Sequence, residues 1–449
     1  MKSLVLPLLA FASAGAWALA AGQAVAGQDD PPVPPEPAAS QSDVAPPSLG
    51  ARIDRYVRPL VDDGYLSGTL LVARGDTVVY ERAWGMADYE LGAPNTVATR
   101  YNVASATKPL TQIMLLRLVE RGVLAADDLV SKWIDGFPRG GEITVEMLAR
   151  HQAGLPHRVT DDVDETRPKT AADIVARAKA AELLFPPGTD TSYSSAGYSV
   201  LARILELAGG RPYGELLEEL VLDVAGAVHT SHPTSREVVP GRAAGYFVGE
   251  RGVLNAPLRD LSFLVGAGSV YSTPRDLFLI QRTLVSGGYG QAARTQLVGE
   301  TGLRWNGYTN GFRAFADHSS ETGLTVAFAG NVFSGAADLL RANIPRLAAG
   351  ESVESPHVPS VEPVVPAEPA RRRVEGAYRV GPSPVELAFE TPQRAVLGDW
   401  VLVPTSETTF YSPQDYATVT VETDEEGEVV ALQWGEGPRF PRVRTPESE

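Results

Sequence analysis

The stretch YNVASATKPLTQIMLLRL, residues 101–118, places Ser105 and Lys108 three positions apart where a long apolar run begins. Residues three apart on a helix share a face, with Cβ atoms about 5–6 Å apart. One interpretation is that Ser105 caps the helix and Lys108 lies at the surface. The other is that Ser105 is a nucleophile and that Lys108, desolvated by the apolar helix, is a neutral base beside it. The stretch alone leaves both interpretations open.

The overall composition excludes several classes of function. The chain has 449 residues, of which 44% are hydrophobic and 21% are charged, as in an ordinary globular protein. Its net charge of −16 argues against nucleic acid or an anionic membrane surface as a partner. Because the chain has no cysteine, disulfides, thiolate catalysis and Cys–zinc sites are excluded.

The N-terminus has the layout of a secretory signal peptide, predicted to be residues 1–26. Lys2 precedes an apolar run, and small residues at Ala24 and Ala26 form the cleavage pattern. An uncleaved anchor is the alternative, but Pro7 and Gly15 interrupt a run that is short for a membrane span. The sequence therefore predicts a periplasmic or secreted protein.

Two Pro-rich linkers, residues 27–50 and 349–371, delimit a predicted main domain at 51–348. Strand patterns lie near both ends of this domain, at 69–83 and 311–331, which indicates one sheet completed by both termini. Helix signals lie between them, with predicted helices from about Ser105 to Gly122, from Ala196 to Ala208, and after a Thr273 N-cap. Residues 372–449 lack helix signals and alternate in hydrophobicity, which predicts a small β domain.

Four ordered segments resemble the family of serine β-lactamases and penicillin-binding proteins. They are SATK (105–108), MLARHQAGLP (147–156), FPPGTDTSYSSAGYSVLARILELAGGRPY (185–213) and GAGSVYSTPRDL (266–277). The resemblance covers about residues 51–345. It implies an α/β (α+β) fold of the β-lactamase/transpeptidase type, with an antiparallel sheet flanked by helices and a helical subdomain. The segment 372–449 resembles the lipocalin-like domain appended to many members.

The resemblance also implies which residues are catalytic. Ser105 matches the nucleophile of the family's S-x-x-K motif, and Lys108 matches its lysine. Tyr193 matches the general base, a hydroxyl held toward phenolate by the nearby cation and able to relay the Ser105 proton.

Two departures from the family pattern bear on the substrate. Ser195 replaces the asparagine of the second motif and offers no amide to grip a substrate amide. Trp305-Asn306-Gly307 replaces the third motif, which usually begins with Lys or His. Gly307 keeps a small residue next to the nucleophile. Tyr308 is expected to supply the second N–H group that binds the substrate oxyanion, beside the N–H of Ser105.

Trp305 has two interpretations of its own. It supplies an apolar wall in place of a cation, as in the Trp-x-Gly motif of the family's esterase branch, or it belongs to the core.

Neither a G-x-S-x-G elbow nor an H-E-x-x-H pattern occurs in the sequence, so no competing hydrolase template is present, and neither a metal nor a cofactor is expected.

The sequence thus predicts an exported serine hydrolase that forms an acyl-enzyme, with carboxylesterase activity on small acyl esters. A D,D-peptidase, a D-amino acid peptidase or a weak β-lactamase is the alternative enzyme. A cell-wall or ligand-binding protein without turnover is the alternative of another class. The expected partner is a small ester or peptide-like molecule, and the oligomeric state is left open.

Overall fold

The computed structural model describes residues 47–161, 163–234, 236–249, 252–356, 361–380, 383–398 and 400–443. The predicted signal peptide (1–26) and nearly all of the first linker (27–50) lie outside these described residues, and helix begins at Leu49. Within these ranges, every helix is too short or too polar to cross a membrane.

The α-helices of the described residues follow one another in chain order. They are α1 (Leu49–Asp62), α2 (Thr107–Glu120), α3 (Val130–Trp133), α4 (Val145–Ala149), α5 (Ala171–Ala180), α6 (Ser195–Gly209), α7 (Tyr213–Leu217), α8 (Asp223–Ala225), α9 (Pro274–Val285), α10 (Gln291–Leu297), α11 (Ala336–Ala348) and α12 (Glu368–Val374). Short 3₁₀ turns occur at Ala104–Ala106, Asp164–Thr166 and Leu261–Leu264, and a π-helical turn at Glu218–Leu222 joins α7 to α8.

The strands of the part of the chain that the structure describes form five sheets. They are β1 (Gly68–Arg74), β2 (Thr77–Trp84), β3 (Met86–Asp88), β4 (Ala93–Pro94), β5 (Tyr101–Asn102), β6 (Tyr246–Gly249), β7 (Gly252–Asn255), β8 (Tyr271–Ser272), β9 (Gly302–Thr309), β10 (Phe312–Ser319), β11 (Leu324–Gly330), β12 (Val332–Phe333), β13 (Gly376–Val380), β14 (Ser383–Thr391), β15 (Arg394–Leu397), β16 (Trp400–Pro404), β17 (Thr409–Ser412), β18 (Ala417–Thr423), β19 (Val429–Trp434) and β20 (Arg439–Pro441).

The central sheet has the order β2-β1-β11-β10-β9, and all its neighbours are antiparallel. This confirms that strands from both ends of the main domain complete one sheet. Helices α1 and α11 pack on one face, in an apolar cluster that includes Leu60 and Leu340. The other face contributes Ala314, Ala316 and Ala327 to the larger core around α2, α6 and α9. Strand β9 lies at an edge of the sheet.

The predicted helix starts agree with the structure, with one informative difference. Thr273 caps α9 by accepting the Asp276 N–H, and Gly210 ends α6 in the left-handed region at φ 69°. The helix expected from about Ser105 begins instead with the 3₁₀ turn, and α2 starts at Thr107. The Ser105 side chain makes no capping hydrogen bond, so it is available for other contacts.

The C-terminal strands form one eight-stranded antiparallel sheet in chain order from β13 to β20. A bridge between Tyr378 and Arg442, and a 2.8 Å hydrogen bond from the Val443 N–H to the Ala377 carbonyl, bring its two ends together in a nearly closed barrel. The β domain was expected, but α12 was not, and it crosses the predicted boundary at 371/372. Pro369 in the first turn and an i,i+4 ion pair between Glu368 and Arg372 favour that helix.

Candidate active site

Ser105 lies in the 3₁₀ turn that leads into α2. The preceding residue, Ala104, has φ 47°, which is uncommon for a residue with a side chain. Its N–H donates a 2.8 Å hydrogen bond to the Oδ1 atom of Asn102, which helps to hold this conformation. In this turn the Ser105 Oγ atom lies within hydrogen-bond distance of the Lys108 Nζ atom and the Tyr193 hydroxyl.

The Lys108 ammonium is buried beside that hydroxyl. Its Nζ atom donates to Ser105 Oγ at 3.2 Å, to Ser195 Oγ at 3.3 Å and to the Ala267 carbonyl at 2.9 Å. All three contacts are to uncharged oxygens. Burial therefore acts without compensation from a neighbouring carboxylate, and it lowers the pKa of Lys108 to about 7.

Tyr193 approaches the nucleophile from a different element. Its hydroxyl donates a 2.7 Å hydrogen bond to Ser105 Oγ, and the Lys108 Nζ atom lies 4.6 Å from the centre of its ring. Burial raises the pKa of Tyr193, while the bond to Ser105 acts in the opposite direction with smaller effect. The expectation that Lys108 holds Tyr193 toward phenolate is therefore wrong in direction. Loss of hydration disfavours the charged form of each group, so it favours the neutral phenol of Tyr193 and also reduces the fraction of Lys108 that carries a positive charge.

The segment that carries Tyr193 is fixed by its neighbours. The Tyr193 ring packs against the rings of His151 and His157, with centroids 4.7 Å and 5.3 Å away. The Nδ1 atom of His151 accepts the Ser194 N–H at 3.1 Å, and the His157 carbonyl accepts the Ser195 N–H at 3.1 Å. Burial lowers the pKa of both histidines to about 4, so both rings are neutral at pH 7.

Ser195 is the first residue of α6, and its hydroxyl is buried against Lys108. The structure thus brings together four of the residues singled out in the sequence, namely Ser105, Lys108, Tyr193 and Ser195. The contact of Ser195 is with the lysine, and a contact with substrate stays a prediction.

Strand β9 brings the third motif to the same place. A Cβ atom added to Gly307 would lie 2.1 Å from the Val103 carbonyl oxygen and 3.0 Å from the Ser105 nitrogen. Only glycine lets the edge strand approach the nucleophile this closely. The N–H groups of Ser105 and Tyr308 remain the predicted oxyanion donors.

The two large residues of this strand have different surroundings. Trp305 is 5% exposed and belongs to the main core, which agrees with the second interpretation offered for it. Tyr308 is 58% exposed, and its ring packs on Phe333. Contact of either side chain with substrate stays a prediction.

Two contributors to this site were not predicted from the sequence. The Ala267 carbonyl accepts a hydrogen bond from Lys108, and the carbonyl of an alanine carries no sequence signal for such a contact. The second is His157, whose ring packs on Tyr193. His157 lies in an irregular loop, where its position in the sequence gave no indication of its contact with Tyr193.

Comparisons with known proteins agree with this geometry. The family model described as Beta-lactamase matches residues 53–313, more than half of the chain. The chain belongs to the β-lactamase family.

Among curated relatives, it is 34% identical over 211 residues to Esterase EstB from Burkholderia gladioli, a match that covers 42% of this chain and 53% of EstB. It is 28% identical over 249 residues to the D-alanyl-D-alanine-carboxypeptidase/endopeptidase AmpH from Escherichia coli, covering 53% of this chain and 63% of AmpH.

The fold is shared with solved structures of this family. A penicillin binding protein from Bacillus halodurans superposes with a TM-score of 0.57 at 24% identity, over 64% of this chain and 98% of that chain. This likeness confirms the expected β-lactamase/transpeptidase-like fold. The chain spans about three-fifths of the length of the curated relatives that it matches first.

Proposed function

We propose that the protein is a serine hydrolase that works through an acyl-enzyme at Ser105. The observation that carries this proposal is the pair of contacts on Ser105 Oγ, from Tyr193 Oη at 2.7 Å and from Lys108 Nζ at 3.2 Å. A hydroxyl between a buried amine and a phenol can lose its proton to the amine as it attacks a carbonyl carbon.

The proposed steps follow from the pKa values. Neutral Lys108 accepts the Ser105 proton while Ser105 Oγ bonds to the acyl carbon. Tyr193, which is a phenol in the resting enzyme, donates a proton to the departing alkoxide oxygen, and the resulting phenolate takes a proton from protonated Lys108. The oxyanion is held by the N–H groups of Ser105 and Tyr308. In the second half of the reaction, a water molecule gives a proton to neutral Lys108 as its oxygen bonds to the acyl carbon. The bond from that carbon to Ser105 Oγ then breaks, Lys108 returns the proton to Ser105 Oγ, and the acid is released.

The substrate we propose is a small carboxylic ester. Trp305 stands in the core at the position where the family motif usually has a cation, so this strand offers no ammonium or imidazole to a substrate carboxylate. Ser195 replaces an amide with a hydroxyl that already contacts Lys108. The similarity to EstB supports the same substrate class.

A D,D-peptidase is the second candidate. It is favoured by the similarity to AmpH and by the position of β9 at the edge of the sheet, since an edge strand is where an extended peptide can add by strand pairing. A weak β-lactamase belongs to the same alternative, since it needs the same acyl-enzyme.

A paired substrate panel distinguishes these candidates. The protein without residues 1–26 is assayed with p-nitrophenyl butyrate, nitrocefin and a D-alanyl-D-alanine peptide, with Ser105→Ala as the control. Ester hydrolysis that exceeds the other two rates and disappears in Ser105→Ala supports an esterase. Faster release of D-alanine or faster nitrocefin turnover supports the second candidate. Failure of a fluorophosphonate probe to label Ser105 would support a binding protein without turnover.

We also propose that the protein is exported, with residues 1–26 removed. The support is the signal-peptide pattern that ends at Ala26. Cell fractionation followed by N-terminal sequencing tests this: a mature form that begins at Gly27 in the periplasm or medium is expected. A cytoplasmic product that retains Met1 would contradict it.

A further inference from the structure

The exposed ring of Tyr308, next to Gly307, belongs to a small aromatic cluster beside the nucleophile. The Phe333 ring on β12 packs edge-on against the rings of Tyr308 and of Phe247 on β6, with ring centroids 6.1 Å and 5.6 Å apart. The Arg313 guanidinium lies 5.5 Å from the centre of the Tyr308 ring and 5.6 Å from that of Phe333. These contacts make the position of Tyr308 depend on Phe333.

The C-terminal barrel touches the segment that carries Phe333. Gly335 follows Phe333 by two residues, and a Cβ atom added to it would lie 2.7 Å from the Tyr416 ring and 3.1 Å from the Gln414 carbonyl oxygen. Gln414 and Tyr416 belong to the turn between barrel strands β17 and β18. The barrel strand β16 also lies beside β6, the strand that pairs with β12 and carries Phe247.

The conformation of Tyr416 shows that this contact is specific. Its φ of 54° lies in the left-handed region, which is costly for an aromatic residue and persists where surrounding contacts impose it. Its ring packs against Tyr65 at 4.9 Å, in addition to Gly335. Among the described residues, no hydrogen-bond partner reaches the buried Tyr416 hydroxyl, so Tyr416 contributes to this contact through its ring and not through its hydroxyl.

We propose that Tyr416 of the barrel is a positioning residue that fixes Phe333, and through it Tyr308, at the rim of the active site, and so determines which size of ester the enzyme accepts. The inference rests on the proposed esterase function for its kinetic readout only. Tyr416 reaches Tyr308 through Gly335 and Phe333, so it acts on the shape of the site and leaves the chemistry at Ser105 unchanged.

The kinetic test compares Tyr416→Ala with Tyr416→Phe, which keeps the ring. In the full mature protein, kcat/KM is measured for p-nitrophenyl acetate and p-nitrophenyl octanoate. Tyr416→Ala is expected to change the ratio of the two values at least threefold, mainly through KM for the octanoate, and Tyr416→Phe is expected to keep the parent ratio. An unchanged ratio in a folded Tyr416→Ala protein would overturn the proposal. If Tyr416→Ala does not fold, Gly335→Ala is measured in its place, because its added Cβ atom pushes the same turn away. The same change in the ratio is expected, and an unchanged ratio in folded Gly335→Ala protein would overturn the proposal.

A second measurement does not depend on activity. Hydrogen–deuterium exchange is expected to be faster in Tyr416→Ala than in the parent in peptides that cover residues 331–335 and 305–309. In β2, at the opposite edge of the central sheet from β9, the two proteins are expected to exchange at the same rate. Exchange that stays at the parent level in both peptides would overturn the proposal even if the parent hydrolyses no ester. A parent without ester hydrolysis but with faster exchange in the variant would refute the esterase function alone.

Discussion

The Nζ atom of Lys108 lies 3.2 Å from the Oγ atom of Ser105, at a place where burial lowers the lysine pKa to about 7. An ordinary lysine, with a pKa near 10.5, would be charged at neutral pH and unable to accept a proton. The apolar surroundings of α2 thus place the protonation equilibrium of this amine where a general base is most effective.

The first prediction concerns the pH dependence of the proposed esterase. Because the neutral amine is the active form, kcat/KM for p-nitrophenyl butyrate should rise with pH through a midpoint near 7. The two histidines beside Tyr193, with pKa values of about 4, should add no step between pH 5.5 and 8. A rate that is constant from pH 5.5 to 9, after correction for uncatalysed hydrolysis, would contradict the assignment of Lys108 as base.

The second prediction separates the catalytic and energetic effects of Lys108. Lys108→Met should lower kcat by about 10²–10⁴-fold, since a general base is lost. The unfolded lysine binds a proton below about 10.5 and the folded one only below about 7, so between these values the parent gains stability as pH rises. Lys108→Met should lack that gain and should be at least as stable as the parent at pH 7. Steady-state kinetics measure the loss of kcat, and chemical denaturation at pH 7 and pH 9.5 measures the free energy of unfolding. A variant much less stable than the parent at both pH values would contradict burial as the cause of the lowered pKa.

The third prediction tests the Tyr193 hydroxyl. Tyr193→Phe keeps the ring between His151 and His157 and removes the 2.7 Å bond to Ser105, so kcat should fall about 10²–10⁴-fold with little change in melting temperature. Tyr198→Phe is the matched control, because its hydroxyl donates to the Ala149 carbonyl and does not touch Ser105. Equal losses of kcat in the two variants would assign Tyr193 a structural role.

The fourth prediction tests the close approach of β9. Gly307→Ala places a Cβ atom 2.1 Å from the Val103 carbonyl, and relief of that overlap must move the strand away from Ser105. We expect a loss of more than tenfold in kcat/KM and a cost of about 1–3 kcal/mol in the free energy of unfolding. Gly141→Ala is the control, since a Cβ there has no atom within 4 Å. Retention of full activity in Gly307→Ala would contradict the assigned placement of this motif.

The sequence predicted the elements that local signals encode. The N-cap at Thr273 and the hairpins at the two ends of the central sheet were predictable, because caps and turns depend on a few neighbouring residues. The 3₁₀ turn at Ser105 was not, since β9 packs against Ala104 and Ser105, and this contact joins segments far apart in the chain. Helix α12 was missed because seven residues beside a proline give a weak periodic signal.

By itself, the sequence determined the chemical types at the site and their order along the chain. Ser105, Lys108 and Tyr193 could be singled out because spacing on a helix and ordered motifs are properties of the chain. Tertiary structure alone decided how those groups ionise, because desolvation depends on every element packed around them. It turned the expected shift of Tyr193 around, placed Trp305 in the core, and brought the Tyr416 ring of the barrel against the segment that carries Phe333.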